Sequence, residues 1–241
     1  MPFTLAHPVA ALPLWHASGR RLRLAALVIG CAVPDFEYFL QLQPSGHFGH
    51  TFPGLFAWCL PVGWLALWLF DRFGRRGVQA LLPVGWALPP PTPSIHSAAN
   101  ISAALLLGAA SHLIWDAFTH RTGLGVALLP ALATPLSLGP LNVAWYKVLQ
   151  HGSTIAGLLV FIALAAAWST RQPRVPRGRL VPRVIAIASL PLAAGLLNGL
   201  RFWSEGLQPF VVGTGVAFAF AVVVTPVLLG ALLCLFHHNI E

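Results

Sequence analysis

The sequence predicts an all-α fold, a polytopic bundle of transmembrane helices. Of its 241 residues, 57% are hydrophobic and only 8% are charged, whereas a soluble globular domain carries about 25% charged residues. Long apolar stretches alternate with short basic clusters, as in multi-pass membrane proteins. These observations exclude disordered chains, disulfide scaffolds, coiled coils and ordinary soluble enzymes. We expect one integral membrane domain, residues 1–241, with a motif-bearing part (1–160) and a C-terminal part (161–241) that holds two further spans.

About six spans account for the apolar stretches, because a transmembrane helix needs about 20 mostly apolar residues. The predicted spans are 22–40, 52–70, 98–118, 152–168, 180–200 and 209–236. Segments 3–17 and 124–145 are short or interrupted by proline, so we expect half-spanning or interfacial helices there. Segment 3–17 either lies along the inner surface or descends as a short helix from the outer side. Only the second alternative brings His7 to the outer side.

The basic residues predict the orientation of the spans. Three clusters lie between apolar stretches: Arg20, Arg21 and Arg23; Arg72, Arg75 and Arg76; and Arg171, Arg174, Arg177, Arg179 and Arg183. The positive-inside rule places all three in the cytoplasm of a bacterial plasma-membrane protein. A net charge of +8 would suggest nucleic acid as a partner in a soluble chain, but here the basic clusters orient the spans. We therefore expect membrane lipids rather than nucleic acid as partners. The oligomeric state stays open.

Histidines and carboxylates gather at the predicted outer ends of the spans, where an ionisable residue is costly and indicates function. His112, Asp116 and His120 recur every four residues, so they share one face of a helix with neighbours about 6 Å apart. Imidazole and carboxylate suit zinc, iron or manganese. We predict that His112 and Asp116 bind metal and that His120 is a ligand or proton carrier. Alternatively, Asp116 only orients His112 by a hydrogen bond.

Four more predicted site residues lie near the outer ends of other spans. Pro34 breaks the first span and so gathers two carboxylates near the outer surface. We predict that Asp35 is a metal ligand and that Glu37 is a second ligand or the general base. Alternatively, both residues lie at a solvated helix end. His47 and His50 stand between glycines before the second span, where such a turn can close around a cation or be a wet loop.

Two histidines complete the predicted site. His151, at the start of the fourth span, is a predicted ligand or proton carrier. His7 is a metal ligand if segment 3–17 crosses from the outer side.

This outer cluster is sufficient for one or two divalent ions, with zinc first and manganese or iron as alternatives. The chain has no serine elbow, Walker loop or dinucleotide motif, so any hydrolysis would be metal-driven. We expect a hydrolase acting at the outer face on an ester or phosphoester, such as that of a lipid. The alternatives are a metal-ion or proton transporter and a non-enzymatic membrane scaffold. Transport is disfavoured because the inner halves of the spans contain almost no ionisable residues.

Five pieces of sequence in order carry a resemblance to a known family. They are residues 1–8, 33–37, 46–51, 111–120 and 150–153. Together they resemble an uncharacterised bacterial membrane family catalogued as a domain of unknown function. The order His, Pro-Asp, paired His, then Ser-His-x-x-x-Asp-x-x-Thr is also distantly similar to YdjM-type membrane-bound metal-dependent hydrolases. This second resemblance implies hydrolase activity without naming a substrate. The sequence differs from that pattern at Glu37, where aspartate is usual, and in its His47-x-x-His50-Thr51 arrangement.

Overall fold

The computed structural model describes residues 4–43, 47–89, 97–138, 141–174 and 177–237. The α-helices are α1 (Ala11–Ala17), α2 (Leu24–Gly30), α3 (Phe36–Gln41), α4 (Phe52–Leu81, including two π-helical segments), α5 (Ala98–Thr119), α6 (Leu124–Leu128), α7 (Trp145–Ser169), α8 (Arg177–Leu200) and α9 (Leu207–His237). Short 3-10 segments are Thr4–Ala10, Val33–Asp35, Phe48–His50, Pro130–Ala133 and Trp203–Glu205. The predicted all-α membrane fold is confirmed.

Four of the described helices, namely α4, α5, α7 and α9, are long and apolar enough to cross a membrane. The count rises to five if α2 and the segment Val33–Gln41 form one broken span. The remaining predicted span, 180–200, is helical, but its apolar part Ile187–Leu200 is shorter than the roughly 20 residues that a crossing needs. Arginines in the first turns of α8 reduce its apolar length. The structure thus supports four to five of about six predicted spans.

Two segments differ from the prediction. Helix α4 continues to Leu81 rather than ending near residue 70, because Arg, Gln, Ala and Leu are good helix formers. In the described residues of segment 124–145 there is no half-spanning helix, because Pro130 and Pro135 lack the N–H groups that a continuous helix needs. It contains α6, a 3-10 turn and an antiparallel hairpin of β1 (Pro135–Leu138) and β2 (Leu141–Ala144). Segment 3–17 is helical from residue 4 onward, and Phe3 lies outside the described residues.

Contacts between residues divide the chain into two compact units. The first contains Met1–Asp35, His47–Trp64 and Ser94–Ala166, and the second contains Phe36–Gly46, Leu65–Pro93 and Ala167–Glu241. In the second unit α9 packs against α8 and against the C-terminal part of α4. Asn198 of α8 is buried there and donates to two backbone carbonyls, at 2.7 and 2.9 Å. The expectation of a single membrane domain stays a prediction.

The first unit is organised by close packing of α2 against α5. A Cβ atom at Gly108 would lie 2.5 Å from the Leu27 carbonyl oxygen and 2.8 Å from the Cys31 nitrogen. A Cβ atom at Gly30 would overlap the carbonyl of Leu105. Gly30 of α2 faces α5, and Gly108 of α5 faces α2, so the two backbones come into direct contact. This contact brings the C-terminal end of α2 next to the second half of α5, where His112 and Asp116 lie.

Candidate metal centre

The backbone break at Pro34 orients His112. In a regular helix the Asp35 N–H would donate to the Cys31 carbonyl, but here it donates to the Ala32 carbonyl at 3.1 Å. The Cys31 carbonyl instead accepts from Nδ1 of His112 at 2.8 Å. Because a carbonyl only accepts, Nδ1 of His112 carries a proton, and in the neutral ring Nε2 keeps a lone pair. Metal-binding histidines are oriented in this way.

Thr4 orients the carboxylate of Asp35, which is fully buried. Its hydroxyl donates to Oδ2 of Asp35 at 2.6 Å. The other carboxylate oxygen, Oδ1, lies 3.5 Å from Nε2 of His112. One oxygen is therefore held by a neighbouring residue while the other is directed at the cluster.

His50 is held by a tight turn packed on the same backbone break. A Cβ atom at Gly49 would lie 2.8 Å from the Pro34 carbonyl oxygen, so only glycine lets the turn approach this closely. Thr51 caps the start of α4, because its Oγ1 accepts from the Gly54 N–H at 3.1 Å and donates to a carbonyl of the turn. Nε2 of His50 consequently lies 3.3 Å from Oδ1 of Asp35.

Four donor atoms lie close together in the first unit. They are Oδ1 of Asp35, Nε2 of His50, Nε2 of His112 and Oδ2 of Asp116. The four separations between a histidine nitrogen and a carboxylate oxygen are 3.3, 3.4, 3.5 and 3.6 Å. These separations are close to the roughly 3.4 Å between the ligand atoms of a four-coordinate zinc ion with bonds of about 2.1 Å. Of the four residues, His50, His112 and Asp116 offer ligand atoms that all lie within 4.8 Å of one another.

Four side-chain atoms in and beside this cluster have no hydrogen-bond partner within the described part of the chain. They are Oδ1 of Asp35, Oδ1 of Asp116, Nε2 of His112 and Nε2 of His7, and all four are buried. Leaving a buried polar atom unpaired costs about 1–3 kcal/mol, and more if it is charged. The separations above are also longer than the usual 2.7–3.2 Å hydrogen bond. A cation held between these atoms would remove the cost.

His7 packs against the ring of His112. The two rings stack with centroids 3.8 Å apart and an angle of 23°, and Nε2 of His7 lies 3.8 Å from Oδ1 of Asp116. Burial, with a further contribution from His112, lowers the pKa of His7 to about 3. The imidazole is therefore neutral, as a metal ligand must be.

A second possible ligand set consists of His7, Asp35 and His112. It shares Asp35 and His112 with the four residues above, and Nε2 of His112 can bind only one ion. The arrangement therefore has one complete site. A second ion would rely on His7 and on Oδ1 of Asp116, with Asp116 as the bridge.

His120 lies at the edge of the cluster, one turn beyond Asp116. Its Nδ1–H donates to the Asp116 backbone carbonyl at 2.9 Å, and burial lowers its pKa. The side chain is 31% exposed, compared with 17% for His50 and 0% for His112. The cluster is thus accessible on the side of His120 and His50.

A family model for a domain of unknown function, DUF4184, matches residues 1–237. The chain belongs to the DUF4184 family. Neither the curated proteins nor the solved structures contain a significant match. The expected membership of a membrane family of unknown function is confirmed by this match together with the apolar helices.

The structure of this DUF4184 chain brings six of the nine predicted site residues together: His7, Asp35, His50, His112, Asp116 and, at the edge, His120. His47 is exposed at the start of the turn that holds His50, and Gly46 before it lies outside the described residues. His151 is exposed on α7. Glu37 lies in α3 and belongs to the second unit. The roles assigned to these three residues stay predictions.

The sequence reasoning missed the residues that position the DUF4184 ligands. Thr4 and the Cys31 carbonyl each hold one ligand, and Gly30 and Gly108 set the distance between the helices that carry them. Pro34 was a usable signal for the Cys31 carbonyl, because a proline within a helix leaves carbonyls unpaired. No local pattern distinguished Gly30 and Gly108 from the other glycines of the chain.

Proposed function

We propose that this DUF4184 protein is a membrane-bound, metal-dependent hydrolase of an ester or phosphoester. The observation that carries the proposal is the cluster of donor atoms from Asp35, His50, His112 and Asp116, in which each histidine nitrogen lies 3.3–3.6 Å from both carboxylate oxygens. Three separate segments of the chain supply them, each with its own positioning contact.

Two histidines and two carboxylates favour zinc, because imidazole nitrogen and carboxylate oxygen are ligands that suit this ion. Manganese and iron accept the same donors. A bound divalent cation supplies Lewis acidity, which activates water and polarises the oxygen of an ester or phosphoryl group.

The residues around the cluster provide proton transfer and access. His120 keeps its Nε2 free because Nδ1 donates to a backbone carbonyl, so it can pass a proton to a departing alcohol. Hydrolysis joins the water oxygen to the carbonyl carbon or phosphorus, breaks the bond to the alcohol oxygen and transfers a proton to that oxygen. Glu37 as general base and His151 as a second proton carrier are further parts of the proposal. The resemblance to YdjM-type membrane-bound hydrolases supports the same reaction class.

The basic clusters favour an orientation in the bacterial plasma membrane with the arginines in the cytoplasm and the metal centre at the outer face. A site at headgroup depth first meets lipid esters and phosphoesters. This location therefore favours a lipid substrate over a soluble one.

The first experiment measures metal in protein purified in detergent, by elemental analysis. Wild type is expected to hold metal in a fixed ratio, and His112→Ala and Asp116→Ala are expected to lose it. His16→Ala is the matched control, because His16 is exposed and takes no part in the cluster. Comparison of His47→Ala with His50→Ala tests which histidine of the pair is the ligand. If wild type takes up no zinc, manganese or iron, the hydrolase proposal fails and the scaffold alternative leads.

A second experiment measures hydrolysis by the metal-loaded protein. Chromogenic carboxylic esters and phosphodiesters test the reaction class, and mass spectrometry of phospholipid vesicles tests lipid substrates. Activity that disappears in His112→Ala and persists in His16→Ala would support the proposal. Metal-stimulated cation flux into proteoliposomes without hydrolysis would instead favour transport.

A further inference from the structure

A groove lies beside the metal centre within the first unit. It runs between residues 4–10, α5 and α7 and has a volume of about 310 Å³, at the lower end of the range for small-molecule sites. Much of its wall consists of small residues, among them Ala6, Ala10, Ala156 and Gly157. Gly157 packs directly on Ala6, because a Cβ atom at Gly157 would lie 2.8 Å from the Ala6 methyl group. Small side chains leave the space that larger apolar residues would fill.

The groove has a polar end and an apolar end. At one end the Trp115 indole N–H donates to Ser153 Oγ at 3.1 Å, and at the other lies Val160. The eight residues from Ser153 to Val160 cover about 10 Å along α7. This length is about one third of a 30 Å hydrocarbon core. The groove therefore matches the part of an acyl chain next to the headgroup.

The open side of the groove belongs to a membrane span. Helix α7 is a candidate span, and most of its residues from 151 to 167 are exposed, although Gly157 is buried against Ala6. Ala156 and Val160, which line the groove, are exposed on this helix. In a bilayer the exposed surface of a span is covered by acyl chains. A lipid chain can thus enter the groove sideways from the membrane without crossing water.

His7 connects the groove to the metal centre. It lines the groove, while its ring stacks on His112 and its Nε2 lies 3.8 Å from Oδ1 of Asp116. Ser111, next to His112, lines the same groove. Trp115 at the polar end neighbours Asp116 along α5, so the headgroup of a chain in the groove reaches the level of the cluster.

We propose that this groove binds one acyl chain of a membrane lipid, so that the bond cleaved at the metal centre is an ester or phosphoester of that lipid. The second clause rests on the proposed hydrolase function, whereas the binding of the chain does not. Entry is from the hydrocarbon side along α7, and His7 separates the chain from the cation site.

The test uses the full-length protein in vesicles of phosphatidylethanolamine and phosphatidylglycerol. The probe is a phosphatidylglycerol with a diazirine on one acyl chain, and mass spectrometry of peptides locates the cross-links. Labelling is expected at Ala6, which is buried and which bulk lipid does not reach. Ala156→Trp fills the groove and is expected to abolish this labelling. Ala165→Trp is the matched control, because Ala165 is exposed on the opposite face of the same helix.

The outcomes separate the groove from the hydrolase. The proposed lipid groove is supported if Ala156→Trp loses the labelling of Ala6 but keeps its metal content, while Ala165→Trp keeps the labelling of Ala6. If Ala156→Trp also loses lipid hydrolysis while it still cleaves a short soluble ester, the lipid substrate is supported too. Labelling confined to exposed residues of α7, or equal labelling in both tryptophan variants, overturns the groove whatever the activity. Labelling of the groove in a protein that holds no metal overturns only the hydrolase. Val160→Trp, at the apolar end, is a second blocking variant in case Ala156→Trp does not fold.

Discussion

Gly108→Ala is expected to weaken metal binding although Gly108 touches no metal. The added Cβ atom would lie 2.5 Å from the Leu27 carbonyl oxygen, and ordinary contact begins at about 3.4 Å, so α2 and α5 must separate by about 0.9 Å. That movement would lengthen the 2.8 Å bond between His112 Nδ1 and the Cys31 carbonyl to about 3.7 Å, beyond hydrogen-bond range. It would also displace Asp35 from His112 by several times the roughly 0.2 Å tolerance of metal ligands.

Loss of a contact that orients a ligand typically lowers metal affinity about 10–100-fold. We therefore expect a weakening in this range or beyond, measured by competition with a chromogenic zinc chelator. Gly152→Ala is the matched control, because nothing lies within 4 Å of a Cβ atom there, and its affinity is expected to equal that of wild type. Circular dichroism and size-exclusion elution distinguish weakened binding from unfolding. A folded Gly108→Ala protein with wild-type affinity would refute the idea that the glycine contact sets the ligand spacing.

Three further predictions test separate parts of the structure. Thr4→Val removes the 2.6 Å hydrogen bond to Asp35 and is expected to lower zinc affinity about tenfold; chelator competition with unchanged affinity would show that Asp35 needs no such support. Burial lowers the pKa of His7 from 6.5 to about 3, so between these pH values the unfolded chain binds more protons than the folded protein. In chelator-treated protein the melting temperature should therefore fall as the pH falls from about 6.5 towards 3. The fall should be smaller in His7→Phe. Asn198→Leu removes the amide that donates to the Leu42 carbonyl and to the buried Gly213 carbonyl. It should cost about 1–3 kcal/mol of unfolding free energy in thermal denaturation, with metal content unchanged. An equal loss of metal would contradict the assignment of Asn198 to a separate structural role.

Composition and hydropathy were sufficient for the fold class. A chain with so few charged residues cannot cover a water-soluble surface, and its apolar stretches are the length that a bilayer requires. Hydropathy was less informative about where helices end. It placed the end of the second span near residue 70, whereas α4 continues to Leu81, because polar residues such as arginine sustain a helix as well as apolar ones do.

Local periodicity was sufficient for part of the metal centre. The four-residue spacing of His112 and Asp116 requires one helix face, and their donor atoms lie 3.4 Å apart. The pair of histidines before α4 was recognisable as well, but local sequence did not distinguish them. His50 is directed at Asp35 whereas His47 is exposed, because Gly49 packs the turn against the Pro34 backbone.

By itself the sequence determined the helical membrane fold and the chemical identity of the ligands, since hydropathy and side-chain chemistry are local properties. Only the tertiary structure decided which side chains meet and which atom each one offers. Facing glycines let α2 touch α5, the break at Pro34 frees the Cys31 carbonyl to orient His112, and Thr4 turns Asp35 toward the cluster. Each of these contacts joins residues at least 31 positions apart, and contacts at such separations leave no periodic signal in one sequence.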